Sequence, residues 1–400
     1  MNDDSTRAST TPDDGERRSR RVRGWRAVVP VLAVSIGAAG VFAAVGRGGD
    51  DTATSEGRQG DAGAVAAASH GGMVTGTVWV ANEEGGSLSA IDAATNKVVT
   101  TVEGVEGPHN VQVSPDGRSV WAVSGHDSMA VMLDAATLAL HGTVPTGGAP
   151  AHVVVTPDGR TYTTNGADGT VTAIDSATMK PVATIPVGAG PHGLRPSPDG
   201  RWVFVANVSG STLSVIDTAA NTKVADIEVG TAPAQVAFSP DGRFVYASLN
   251  AEDAVVKVDV SSRKVVGRVP VGDGPIQTYV TPDNRYVLAA NQGTKDRPGT
   301  TLSVIDTATF TVARTVETGQ GAHGVVIDPS SRHAYVTNLY GDDVAVVDLA
   351  ELRVVARIPV GDKPNGISYS PVAVRAQSPV TVEMPEGHGS DADAHGGEGH

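Results

Sequence analysis

The chain has 400 residues, a formal charge of −14 from 44 acidic and 30 basic residues, and no cysteine. The missing thiols exclude disulfides, thiolate metal sites, cysteine nucleophiles and lipid attachment through cysteine. No basic cluster occurs after the first 26 residues, so the electrostatic footprint of phosphate binding is absent and no nucleic-acid partner is expected.

Residues 1–26 hold seven arginines, and six of them crowd the end of the segment, from Arg17 to Arg26. Twenty uncharged residues follow, Ala27–Gly46. As a helix they would span the ~30 Å hydrocarbon core of a bilayer. Pro30 falls in the first turn, where proline is tolerated, and Trp25 suits the headgroup level. The arginine excess before the span puts the N-terminus inside, so this reads as a single-pass signal-anchor with the rest of the chain outside the cytoplasm. The alternative is secretion after signal cleavage, with small-residue sites such as Ala64-Val65-Ala66 available. Residues 47–71, rich in Gly, Ala, Ser, Thr and Asp, read as a flexible linker.

From about residue 72 the chain repeats itself. Ser-Pro-Asp-Gly-Arg or a drifted copy places prolines at 115, 157, 198, 240, 282, 329 and 371. A second column, an apolar residue followed by Asp, runs in step at Asp92, Asp134, Asp175, Asp217, Asp259, Asp306 and Asp348. Each unit parses into four short strands. In the unit Gly190–Gly230 these are Gly193–Ser197, Trp202–Asn207, Thr212–Asp217 and Lys223–Val229. Pro-Asp-Gly is turn chemistry, and the aspartate after strand three can cap its own turn, so both columns are expected to be structural. Four strands in ~40–45 residues is the signature of a propeller blade. The first unit lacks strand one, and the stretch Pro364–Tyr369 supplies a lone one. Together they predict a composite blade that closes a ring of seven. The expected fold is therefore all-β, a seven-bladed β-propeller over residues 72–382 with four-stranded blades. Closure removes edge strands, and a monomer is expected.

The strand-two segments Trp79-Val80-Ala81-Asn82, Tyr162-Thr163-Thr164-Asn165, Phe204-Val205-Ala206-Asn207, Leu288-Ala289-Ala290-Asn291 and Tyr335-Val336-Thr337-Asn338 vary one theme, and the last reads YVTN literally. With the Gly-Pro-His and Ser-Pro-Asp-Gly-Arg segments, the chain resembles the YVTN-repeat (YncE-like) β-propeller family. The resemblance covers about three quarters of the chain and implies the fold. It implies little about function, since members of this propeller class include surface proteins, a DNA-binding protein and cofactor-bearing redox subunits.

In propeller geometry the loop before strand one and the loop after strand two share a face around the channel. Six positions before the turn proline stand His109, Ala151, His192, Ala234, Ile276, His323 and Asn365; one position later stands His152 in the second of these units. Four histidines are thus expected near the channel mouth. His109, His126, Asp127 and His152 form the best local cluster, with His192 and His323 as further metal candidates. Imidazole with carboxylate suits Cu or Zn. A histidine ring at a seven-bladed hub resembles in outline the copper hub of nitrous oxide reductase. The plainer alternative makes Gly-Pro-His a turn habit of the repeat. Asn82, Asn165, Asn207, Asn338 and Asn365 are expected on the same ligand face. So are Lys295 and Arg297, in a loop (Asn291–Thr301) five residues longer than its counterparts.

The tail, residues 383–400, holds five acids, no base, and His388, His395 and His400 among glycines; its composition predicts disorder and, at most, loose metal capture. No Gly-x-Ser-x-Gly, His-Glu-x-x-His or phosphate loop occurs. The expected function is an extracytoplasmic binding or scaffold module for a protein, peptide or glycan. The alternative is a metal- or redox-linked propeller, including a lyase similar to virginiamycin B lyase.

Overall fold

The computed structural model describes residues 74–385. The expected cytoplasmic segment, membrane anchor and linker, and all of the tail beyond residue 385, lie outside the described residues. Among the described residues no helix is long and apolar enough to cross a membrane.

Seven antiparallel sheets form the blades of a propeller. The fourth blade has strands Pro191–Pro196, Trp202–Asn207, Thr212–Asp217 and Thr222–Glu228, close to the bounds expected from the repeat. Strand one is innermost: each packs against strand one of the next blade, and the series closes on itself. The composite blade is present. Pro364–Ser370 pairs antiparallel with Thr77–Asn82, which pairs with Ser87–Asp92 and then Lys97–Glu103.

The turn columns do the structural work their chemistry suggests. Ser114 Oγ donates to Asp116 Oδ1 (2.6 Å), which accepts from the Arg118 amide (3.0 Å), and Gly117 takes φ 73°. The same bonds recur at Ser197/Asp199/Arg201 and Ser239/Asp241/Arg243. Asp92 Oδ1 accepts from the Ala94 and Thr95 amides at 2.8 and 2.9 Å, the Asx-turn expected of the second column.

The third residue of strand two supplies the filling between blades. Trp79, Trp121, Tyr162, Phe204, Tyr246, Leu288 and Tyr335 are all buried. They spread over several apolar clusters instead of one core, because each blade face packs only on its neighbour.

Two features go beyond the repeat. After strand one of the composite blade the chain crosses that blade, and Val380–Thr381 adds a parallel fifth strand on Lys97–Glu103. Thr77 Oγ donates to the Val372 carbonyl and accepts from the Val374 amide, both at 2.9 Å, while Val374 and Val382 are buried. The longer loop of the sixth blade is an extended hairpin, Tyr286–Thr294 paired with Arg297–Asp306.

Candidate metal centre

Alternation along strand one is interrupted by a register shift near its start in most blades, for example between Pro150 and Val153 and between Pro191 and Leu194. The shift lets residues from two successive columns meet at the channel mouth. Gly193 sharpens the convergence: a Cβ there would lie 2.4 Å from Gln235 Oε1 and 2.6 Å from the Ala234 carbonyl oxygen. Glycine thus lets the neighbouring blade approach closely.

Four imidazoles meet there. His109 Nε2 lies 3.1 Å from His192 Nε2. Ring centroids are 5.6 Å apart for His109–His152, 4.7 Å for His152–His192 and 6.2 Å for His109–His323. One nitrogen from each of His109, His152 and His192 falls within 4.8 Å of the other two. Ligands at about 2.0–2.1 Å around a tetrahedral Zn ion have nitrogens about 3.3 Å apart, so the His109–His192 spacing already fits and His152 needs only a small shift.

The other ring atoms are held in several cases. His109 Nδ1 lies 3.3 Å from Glu83 Oε1 and 3.0 Å from Asn365 Nδ2, and the same Asn365 amide donates to Glu83 Oε2 at 2.9 Å. His192 Nδ1 lies 2.9 Å from the Ala234 carbonyl, and His152 Nδ1 lies 3.4 Å from Gln235 Nε2. Carboxylate and carbonyl partners of this kind orient metal-binding imidazoles. Two buried ring nitrogens, His152 Nε2 and His323 Nδ1, have no hydrogen-bond partner among the described residues.

The electrostatics favour neutral rings. Burial, then the neighbouring imidazoles, pulls His192 down to about 4 and His323 to about 3, and pulls His152 well below the usual histidine range. Burial alone would raise the Glu83 carboxyl, but its hydrogen bond and charge interaction with His109 prevail and bring it to about 2. His152, His192 and His323 are therefore held unprotonated near neutral pH, close to an ionised Glu83 carboxylate. A cavity of about 460 Å³ opens onto His109 and His192 and is walled by Gly107, Pro150, Pro191 and Val208.

The expected site residues fall in different places. Of the cluster His109, His126, Asp127 and His152, only His109 and His152 bring ring nitrogens together. His126 flanks the outer cavity over Gly107. Asp127 accepts from Ser124 Oγ at 2.7 Å and braces its own loop. Asn82, Asn165, Asn207 and Asn338 are fully buried and do not face a ligand. Asn165 Nδ2, for example, donates to Thr170 and Thr172 Oγ1, both at 2.9 Å, tying strand two to strand three. Asn365 belongs to the centre itself through its bonds to Glu83 and His109. Lys295 and Arg297 sit exposed at the hairpin tip, and Arg297 lies 3.6 Å from Asp273. Glu83 and Gln235 escaped sequence reasoning as site residues: an acid after strand two read as part of a solvated rim.

A closed seven-bladed ring with imidazoles converging on one mouth of its channel defines a histidine-hubbed β-propeller. A model of the YNCE-like β-propeller family matches residues 119–376, and the chain belongs to that family. No curated protein sequence matches it. Among solved structures, hydrazine synthase of Kuenenia stuttgartiensis is 25% identical with a TM-score of 0.61, over 66% of this chain and 90% of that one. A functionally unknown protein from Desulfotomaculum acetoxidans is 15% identical with a TM-score of 0.66, over 74% and 99%. A putative 6-phosphogluconolactonase from Bacteroides uniformis is 19% identical with a TM-score of 0.64, over 74% and 99%. The last two likenesses concern the fold alone.

Proposed function

We propose that the protein is an extracytoplasmic, membrane-anchored binding propeller that holds a Cu or Zn ion at the mouth of its channel. The carrying observation is the convergence of His109, His152 and His192 to within 4.8 Å from three successive blades. Convergence alone could be a repeat habit, but two features favour a ligand. Burying several imidazoles with ring nitrogens left unsatisfied is unfavourable unless something completes their bonding. His152 and His192 are also held in the neutral form that binds metal.

The donor set selects the metal. Imidazole nitrogen with a carboxylate behind it suits Cu and Zn and is poor for Ca or Mg, which take oxygen ligands. With three ring nitrogens as ligands, the metal would keep a position facing the outer cavity, where a further small ligand can enter. Glu83 would hold the ring of His109 and raise its basicity, as carboxylates behind metal-bound histidines do.

The test is metal content after exposure to Cu²⁺ or Zn²⁺ and dialysis, in a background where His388, His395 and His400 are alanine. About one ion per chain is expected, lost when His109, His152 and His192 are replaced by alanine together. Retention of the ion in that triple variant, or no ion in the parent, contradicts the reading.

A further inference from the structure

The channel has a second end. Three positions before each turn proline, strand one contributes another ring of residues, and these line two adjoining cavities of about 210 and 400 Å³ that share Gln112, Arg195 and Tyr279. Three residues along a strand is about 10 Å, so this ring stands apart from the imidazoles. Most of it is neutral: Gln112, Tyr279 and Ser368 are polar, and Val154 and Val326 are apolar.

Arg195 is the exception. It is the single charged residue of the ring, and among the described residues no carboxylate pairs with it, in contrast to arginines such as Arg268 and Arg357. Its Nη1 donates to Gln112 Oε1 at 3.2 Å, and its Cζ lies 5.7 Å from the centre of the Tyr279 ring. Gln112 is itself committed, donating to the Val113 carbonyl and to Ser368 Oγ. The Tyr279 hydroxyl has no hydrogen-bond partner among the described residues. A guanidinium cannot shed its proton, so its desolvation is offset only by a partner charge. The chain supplies none here, while leaving most of the fork and one neighbouring hydroxyl free to donate.

We propose that this end of the channel is an anion site for a small organic monocarboxylate. The Arg195 guanidinium takes both carboxylate oxygens in a bidentate pair. The Tyr279 hydroxyl donates to one of them, and the apolar tail lies against Val154 and Val326. One positive charge with Val154 and Val326 on the walls fits a monoanion with a hydrocarbon tail better than a phosphate, which calls for more donors and more charge. The proposal is independent of the metal centre, because it uses none of the imidazoles.

The probe is benzoate, titrated calorimetrically into the full-length protein at low chloride, with inorganic phosphate as the competing class. Benzoate should bind wild type, bind Arg195→Gln about tenfold or more weakly, and bind Tyr279→Phe several-fold more weakly. Phosphate should bind less tightly than benzoate. Removing an unpaired cation should leave the melting temperature of unliganded Arg195→Gln at or above wild type, and benzoate should raise only the wild-type value. Should Arg195→Gln fail to fold, Arg195→Lys serves instead, since it keeps the charge and loses the fork; a several-fold loss is expected. Equal benzoate affinity in wild type and the arginine variants, no benzoate binding by folded wild type, or tighter binding of phosphate would each overturn the proposal.

Discussion

His109 and His192 are 83 positions apart in the chain, yet their Nε2 atoms lie 3.1 Å from one another. Two repeat units separate them in sequence, and the packing of successive innermost strands around the channel brings them together. Site formation is therefore tied to the packing of the blades, and the composite blade adds Glu83 and Asn365 to it.

Glu83 approaches His109 from the composite blade, at 3.3 Å from Nδ1. Glu83→Gln removes the charge and keeps the shape. It should lower affinity for Zn²⁺ about 10–100-fold, the usual loss when a carboxylate behind a metal-bound histidine is changed, with little change in melting temperature. Competition with a chromophoric chelator measures it, and an unchanged affinity would remove Glu83 from the centre.

The metal-free protein should lose stability from about pH 6.5 downward. His152, His192 and His323 are depressed in the folded state by burial and by one another. The unfolded chain therefore takes up protons near pH 6.5, while the folded one resists to about 4 for His192 and about 3 for His323. Their stabilising contribution is complete above pH 6.5 and falls with pH through that window. Each such group costs up to about 1.4 kcal/mol per pH unit. The turn aspartates, such as Asp116 and Asp199, are also depressed, by bonds from serine hydroxyls and backbone amides, but they act only below about pH 4. Melting temperatures across pH 4–8 check this, and a flat profile between pH 5 and 7 contradicts it.

Asn207 donates to Thr212 Oγ1 at 2.9 Å and Ser214 Oγ at 3.0 Å, wholly buried. Asn207→Ala breaks both bonds and also the one that the Gly188 amide donates to Asn207 Oδ1 at 3.2 Å, while Ser214 Oγ keeps its bond to Asp226. It should destabilise the fold by about 1–3 kcal/mol, read from chemical denaturation, and leave metal stoichiometry unchanged. A loss of metal without a loss of stability would instead make this asparagine part of the site.

The strap after strand one of the composite blade holds the seam of the ring. Val374 is buried against it and its amide donates to Thr77 Oγ1. Val374→Asp buries an unpaired charge and should cost about 3 kcal/mol or more. Because the seam carries Asn365 and Glu83, metal affinity should fall with it. Destabilisation with full metal affinity would separate the seam from the site.

The fold was legible because its signals are periodic. Proline, aspartate and the strand-two aromatics recur at one spacing, and each has a local physical reason to stand where it does. The composite blade was legible from the same arithmetic, one strand missing at the start and one spare at the end. The site was legible only in part. His109, His152, His192 and His323 share a column or its neighbour, so their convergence follows from closure plus the register shift in strand one. His126 and Asp127 misled because nearness in adjacent units does not fix where a loop side chain points. The asparagines misled for a related reason: a residue at a strand end near a functional face can spend its whole hydrogen-bonding capacity on the next strand. Arg195 gave no signal, because the absence of a carboxylate around a half-buried cation exists only in three dimensions.

The most direct measurement is a crystal structure of the Zn²⁺- or Cu²⁺-soaked protein with anomalous data at the metal edge. The account predicts one strong peak at the channel mouth, about 2.0–2.1 Å from a nitrogen of each of His109, His152 and His192, with Glu83 still bonded to His109. Well-ordered imidazoles with no peak among them, or a peak confined to His126 or other surface histidines, would contradict it.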